Sequence, residues 1–208
     1  MITIVSGLPR SGTSMMMQML HAGGMPILGD TARADQSNPR GYYEWPEITQ
    51  FPVNPRIIAQ AEGKAVKLTS NFLCMLPPQY EYKIILMERP LDEVLPSMEA
   101  MHRRLHPGDE AGAVAIRAPE FRKALEALNR ETHYWLATGN KRRSGTSSPY
   151  FWLHVLYHDV LKHPQYIAEW ISGAFLPGQL LRGLDVPAMV RAVDPALYRT
   201  RAETLLPK

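Results

Sequence analysis

The chain has 208 residues, 45% of them hydrophobic and 21% charged, values that suit one soluble globular domain spanning 1–208 and exclude a disordered or fibrous protein. Its formal net charge of +3 is too small an excess for a nucleic-acid binder and suits a protein that handles anionic ligands. A lone cysteine, Cys74, excludes an intramolecular disulfide, and no apolar run approaches the ~20 residues of a membrane span, so the expectation is a cytoplasmic protein without a membrane partner.

In chain order, the apolar run Ile2–Val5 reads as a short buried strand, and Thr13–Ala22 as a helix that stops at Gly23-Gly24. Residues 29–56 read as a long polar loop, of the kind that is usually functional. Ala65–Leu68 is a weak second strand and Tyr82–Met87 a strong third. Asp92–Leu105 reads as a helix capped by Asp92, with Pro96 tolerable only in its first turn. Ala118–Thr138 is the longest helical pattern, followed by the polar stretch 139–148. Phe151–Leu156 is a last strand, and Pro164–Phe175 and Val186–Val193 are helices. Strands alternating with helices predict a parallel sheet covered on both faces.

Between the first strand and the first helix stands SGLPRSGTS, residues 6–14. A strand, a tight glycine loop and a helix start converge several backbone N–H groups on one point, where the helix dipole adds positive charge. The loop is therefore an anion site. Gly7 and Gly12 have the spacing of the nucleotide-binding loop G-x-x-x-x-G-K-[ST], but Thr13 stands where lysine would be, and Arg10 lies inside the loop. Without the lysine that reaches the β- and γ-phosphates, an ATP–magnesium kinase or hydrolase becomes the weaker alternative.

GLPRSGTSMM resembles the 5′-phosphosulfate loop of the sulfotransferases, which use 3′-phosphoadenosine 5′-phosphosulfate as donor and write the loop P-[KR]-S-G-T-[TS]. The resemblance implies an α/β, P-loop NTPase-like parallel sheet flanked by helices on both faces. It also implies that Pro9, Arg10, Ser11, Gly12, Thr13 and Ser14 hold the donor's 5′-phosphate and sulfuryl oxygens, with no metal required. MERPLDEVLPSM, residues 87–98, is similar to the family's second motif. By that likeness Arg89, ending a strand, and Ser97, eight residues on, clasp the 3′-phosphate. The bland alternative for Arg89 is a surface pair with Asp92 or Glu93. A softer likeness covers residues 152–178, where Tyr157 and Asp159 match a Y-E-D stretch and His158 replaces the glutamate.

Sulfuryl transfer needs a base near the acceptor and cations around the moving group. Classical members place lysine and histidine at the end of the second strand, and AVKLTS offers Lys67 but Thr69 in the histidine position. A base must then come from the polar loop. Glu44, in NPRGYYEWPE, is preferred to Asp30 for its aromatic, more enclosed surroundings. The acceptor is expected to be a hydroxyl or amine of a small molecule or glycan, and a non-catalytic nucleotide-binding member of the family is a further alternative. None of the seven histidines carries a ligand motif, so no metal is expected. Lys141, Arg142 and Arg143 are a weak candidate for a phosphate contact.

Overall fold

A computed structural model describes residues 1–32, 34–35, 38–138, 150–173 and 183–198. Five strands form one sheet in the order β2-β3-β1-β4-β5: β1 Ile2–Gly7, β2 Ile27–Leu28, β3 Ala65–Thr69, β4 Tyr82–Glu88 and β5 Tyr150–Leu156. Every pairing is parallel. β1 is buried along its whole length, as a central strand covered on both faces must be, which is why ITIV is a continuous apolar run with no alternation. The α/β architecture expected from the sequence is the one observed.

One face carries α1 Thr13–Ala22, α6 Pro164–Ser172 and α7 Val186–Ala192, packed on Val5, Ile85, Met87 and Val155. Met16, Met17, Met19 and Leu20 are all fully buried in this layer, where unbranched thioethers fill irregular gaps between helix and sheet. The opposite face carries α4 Pro119–Thr138 and short 3₁₀ segments, with Trp45, Phe51, Leu73 and Leu136 packed on Ile2, Ile4, Val66 and Ile84. A smaller cluster of Leu8, Leu95 and Leu125 joins the loop after β1 to α2 Leu91–Leu105 and α4. The chain runs from β1 outward to β2 and β3, then crosses to β4 and β5 on the other side. That reversal opens a crevice beyond the C-terminal ends of β1, β3 and β4, where open α/β sheets take their ligands.

The structure corrects several boundaries. β2 has only two residues, too few to leave a pattern in the sequence. The polar stretch 29–56 contains a 3₁₀ turn at Pro46–Gln50 and an antiparallel bridge between Asp30 and Glu44. Two short helices went unpredicted, α3 Glu110–Arg117 and α5 Tyr157–Lys162. α2 begins at Leu91 with Pro90 as its cap residue, so Asp92 lies inside the first turn, beside the helix dipole, and caps nothing. Pro96 is thereby internal to the helix. It withholds an N–H from the carbonyl of Asp92, and the helix persists because Val94, Leu95 and Ser97 are buried by tertiary packing. Lys141, Arg142 and Arg143 lie outside the described residues.

Candidate functional site

The loop Gly7–Gly12 owes its shape to three left-handed or near-left-handed residues: Gly7 (φ 151°), Arg10 (φ 69°) and Gly12 (φ 100°). A Cβ on Gly7 would stand 2.4 Å from the Met87 carbonyl oxygen, and one on Gly12 would stand 2.5 Å from Cδ2 of Tyr157. Neither position has room for a side chain. Ser11 donates its N–H to the Leu8 carbonyl at 3.2 Å and closes the turn. α1 then begins at Thr13 with no side-chain cap and no acidic residue in its first turn, which leaves its positive end open to an anion. The Ser11 hydroxyl is buried without a hydrogen-bond partner among the described residues.

Arg10 is the residue that would be strained in this loop, since a left-handed backbone costs about 1–3 kcal/mol for a residue with a Cβ. Contacts from outside the loop hold it, among them one from Arg10 Nη1 to Met101 Sδ at 3.8 Å. Arg89, at the end of β4, donates Nη1 to the Arg10 carbonyl at 3.3 Å, and Ser97 of α2 accepts from Arg10 Nε at 2.9 Å. Burial pushes the Arg10 guanidinium below its ordinary pKa, with the like charges of Arg89 and Arg104 acting in the same direction. It stays charged regardless.

Arg89 is itself buried. Its Nε donates to Glu93 at 2.8 Å, and its guanidinium lies 4.5 Å from the ring centre of Tyr157 and 5.4 Å from that of Tyr198. The bland sequence reading paired Arg89 with Glu93 on the surface; the pair forms, but in the interior, one turn into α2 and beneath the loop. Glu93, 1% exposed, also receives hydrogen bonds from Tyr198 at 2.5 Å and from His158. Burial raises its pKa, and the hydrogen bonds from Tyr198, Arg89 and His158 outweigh that and hold it below the ordinary carboxyl value. Burial and the Glu93 hydrogen bond push the Tyr198 phenol up to about 12. His158, which departs from the Y-E-D pattern, therefore serves a carboxylate supplied by α2.

The acceptor-side residues gather on the stretch 38–44. Gln18 of α1 donates to Asn38 Oδ1 and to the Gly41 carbonyl, both at 3.3 Å. The Tyr42 carbonyl accepts from Ser14 Oγ at 3.3 Å and from Lys67 Nζ at 2.6 Å. Lys67 Nζ also stands 3.7 Å from Glu44 Oε1. Tyr43 turns through a left-handed backbone (φ 56°) and buries its ring, with its hydroxyl 3.3 Å from His21 Nδ1. These contacts pin the loop between α1 and β3 and leave Glu44 at the crevice.

A cavity of about 530 Å³ fills that crevice. Of the residues named from the sequence, Pro9, Arg10, Gly12, Thr13, Ser14, Glu44, Lys67, Arg89 and Ser97 line it, as does Thr69; Ser11 and Asp30 do not. The Asp30 carboxylate instead accepts from the Ala32 N–H at 2.8 Å in an exposed turn. Arg104, on the last turn of α2, also lines the cavity; the sequence offered Arg103 and Arg104 as possible phosphate contacts, with solvated surface charge as the bland alternative, and only Arg104 reaches the lining. Tyr157, matched in the third motif, lines it too. Four cations (Arg10, Lys67, Arg89 and Arg104) thus line one cavity with the carboxylates of Glu44 and Asp194 and the apolar side chains of Met98, Met101, Leu105 and Ile116, Met101 Sδ standing 3.8 Å from Arg10 Nη1. A partly desolvated cluster of like charges is relieved by a bound anion, and the uncapped N-terminus of α1 points to the same place.

No helix among the described residues is long and apolar enough to cross a membrane. No family model matches the chain, and no curated protein matches it. A solved structure described as "Sulfotransferase Domain from the Curacin Biosynthetic Pathway" is similar over 93% of this chain and 77% of its own, at 14% identity and a TM-score of 0.47. So distant a likeness carries no argument, and the chemistry rests on the loop and the side chains around it.

Proposed function

We propose that the chain transfers a sulfuryl group from 3′-phosphoadenosine 5′-phosphosulfate to a hydroxyl or amine of a small molecule or glycan. The observation that carries this reading is the Arg10 arrangement. An anion loop with Thr13 in the lysine position carries an arginine inside the loop instead, locked by a strand-end arginine and by a serine of the following helix. The loop N–H groups and the start of α1 would take the 5′-phosphate, while Arg89 and Ser97 would meet the 3′-phosphate. Arg10 and Lys67 would stabilise charge that develops on the transferring group and on the departing bisphosphate. Glu44, 3.7 Å from Lys67 on the cavity wall, would take the proton from the acceptor as its oxygen or nitrogen attacks sulfur.

The observations that weigh against a kinase are Thr13 in the lysine position and the placement of Glu88. That carboxylate ends β4, but it does not line the cavity and is engaged by two histidines.

Calorimetric titration with adenosine 3′,5′-bisphosphate and, separately, ATP with magnesium tests the reading. The bisphosphate is expected to bind preferentially, and Arg10→Ala to weaken it about tenfold to hundredfold, the worth of a charge-assisted contact of about 1.5–3 kcal/mol. Preference for ATP–magnesium would overturn the proposal in favour of a nucleotide kinase or hydrolase. Tight bisphosphate binding with no turnover across an acceptor screen would leave a non-catalytic member.

A further inference from the structure

Beyond the cavity, three side chains from three different elements converge on one point. Glu88 ends β4, His154 lies on β5, and His133 comes from the third quarter of α4. Glu88 Oε2 is 3.0 Å from His133 Nε2 and 2.5 Å from His154 Nε2, and all three ligand atoms lie within 4.8 Å of one another. The two imidazole rings are 5.1 Å apart between centres and nearly perpendicular, at 85°. The parallel register explains the meeting: Leu86 faces His154 across the β4–β5 ladder and Glu88 faces Leu156, so Glu88 and His154 are diagonal neighbours on the same sheet face. α4 covers that face and brings His133 down onto it. The group does not line the nucleotide-sized cavity.

The geometry points to a divalent transition-metal site of the zinc class, built from Glu88, His133 and His154. Two imidazole nitrogens and one carboxylate oxygen are the donor set such ions favour, and three protein ligands leave one position for water. Donors 2.0–2.1 Å from a tetrahedral zinc stand about 3.3 Å from one another. The Glu88–His133 and Glu88–His154 separations of 3.0 and 2.5 Å lie somewhat below that value and no pair exceeds 4.8 Å, so the ion seats with small rotations of the side chains. Each residue is about one-third exposed, between 33% and 37%, which gives the ion a route in. Sequence gave no sign of the site because Glu88 and His133 are 45 residues apart and no two ligands share a helix or a spacing motif. A bound ion ties α4 to the edge strand β5 and to the end of β4, the strand that continues into Arg89. The site stands independently of the nucleotide reading.

Untagged full-length protein, stripped with chelator, is titrated with Zn²⁺ by calorimetry and with Co²⁺ by visible absorption. One equivalent of Zn²⁺ is expected to bind and to raise the melting temperature, and Co²⁺ to give the intense d–d bands of a four-coordinate site. His133→Ala, His154→Ala and Glu88→Gln are each expected to weaken Zn²⁺ by more than about tenfold, since even the outer partners of metal ligands are worth that much. His154→Cys is the folding-proof variant: it keeps the metal and adds a thiolate-to-cobalt charge-transfer band. The remaining histidine pair near an acid, His102 and His106 beside Asp109, is removed in a control that is expected to bind as the parent does. Absence of saturable Zn²⁺ binding, or binding that persists in the His133→Ala/His154→Ala double variant, would overturn the assignment.

Discussion

Replacing Glu93 by glutamine keeps the shape of the side chain and removes its charge, leaving Arg89 buried without its counter-ion. The two side chains are 1% and 6% exposed and meet at 2.8 Å. Breaking a buried pair by neutralising one partner costs about 3–5 kcal/mol, because the surviving charge stays desolvated. For a domain of this length each kcal/mol lowers the melting temperature by about 2–4 °C, so Glu93→Gln is expected to melt roughly 6–20 °C below the parent. The pH dependence follows from the same group. Its folded pKa is depressed, so its contribution is fully present above the unfolded value near ~4.3 and is lost as pH falls through the lower folded value. The parent should therefore lose stability steeply below about pH 4, and Glu93→Gln should show a flatter acid limb. Urea denaturation at pH 7 and at several acid pH values reads both effects. A loss below about 1 kcal/mol, the worth of an exposed pair, together with an unchanged acid limb, would refute the view that Glu93 anchors Arg89 from the interior.

Other outcomes follow from the loop and the cavity. Gly12→Ala places a methyl 2.5 Å from the Tyr157 ring on a left-handed backbone, and is expected to destabilise by about 1–3 kcal/mol or more and to weaken bisphosphate binding, read by denaturation and calorimetry. Once an acceptor is found, Glu44→Gln should reduce turnover by about 10²–10⁴-fold with bisphosphate affinity preserved, whereas Asp30→Asn, outside the cavity lining, should change neither; an active Glu44→Gln enzyme would remove Glu44 as the base.

The parts of the fold that were readable in the sequence are those whose pattern is local. β1 and β4 are continuous apolar runs, α1 is bounded by Gly12 and the glycine pair, and the phosphate loop is a spacing of two glycines around a basic residue. What escaped depends on partners far along the chain. β2 is held by only two residues paired with β3, so no periodicity announces it. The i,i+4 spacing of Arg89 and Glu93 was visible, but not that Tyr157, His158 and Tyr198 would close over the pair and carry it into the interior. Lys67 and Glu44 could be named separately, while their meeting depends on Tyr42, whose carbonyl accepts from Lys67 Nζ and whose ring centre lies 5.9 Å from it, contacts no spacing rule announces. The Pro96 misplacement has the same origin: a propensity rule was overridden by the burial of its neighbours.

Ser97 is where the two possible duties of this loop collide. Its hydroxyl now accepts from Arg10 Nε at 2.9 Å, yet the proposed donor site gives that hydroxyl to a 3′-phosphate. A hydroxyl has one proton and two lone pairs, so it can accept from Arg10 and donate to a phosphate oxygen together. If it does both, Ser97→Ala removes a direct contact from ligands that carry a 3′-phosphate and only loosens Arg10 for those that do not. Affinity for adenosine 3′,5′-bisphosphate should then fall about fivefold to tenfold, for a hydrogen bond worth about 1–1.5 kcal/mol, while that for adenosine 5′-monophosphate falls no more than about twofold. Calorimetric titration of both nucleotides into both proteins measures the ratio. An equal loss for the two ligands would make Ser97 a positioning residue for Arg10 and nothing more, and the 3′-phosphate would have to be recognised from Arg89, Arg104 or elsewhere on the cavity wall.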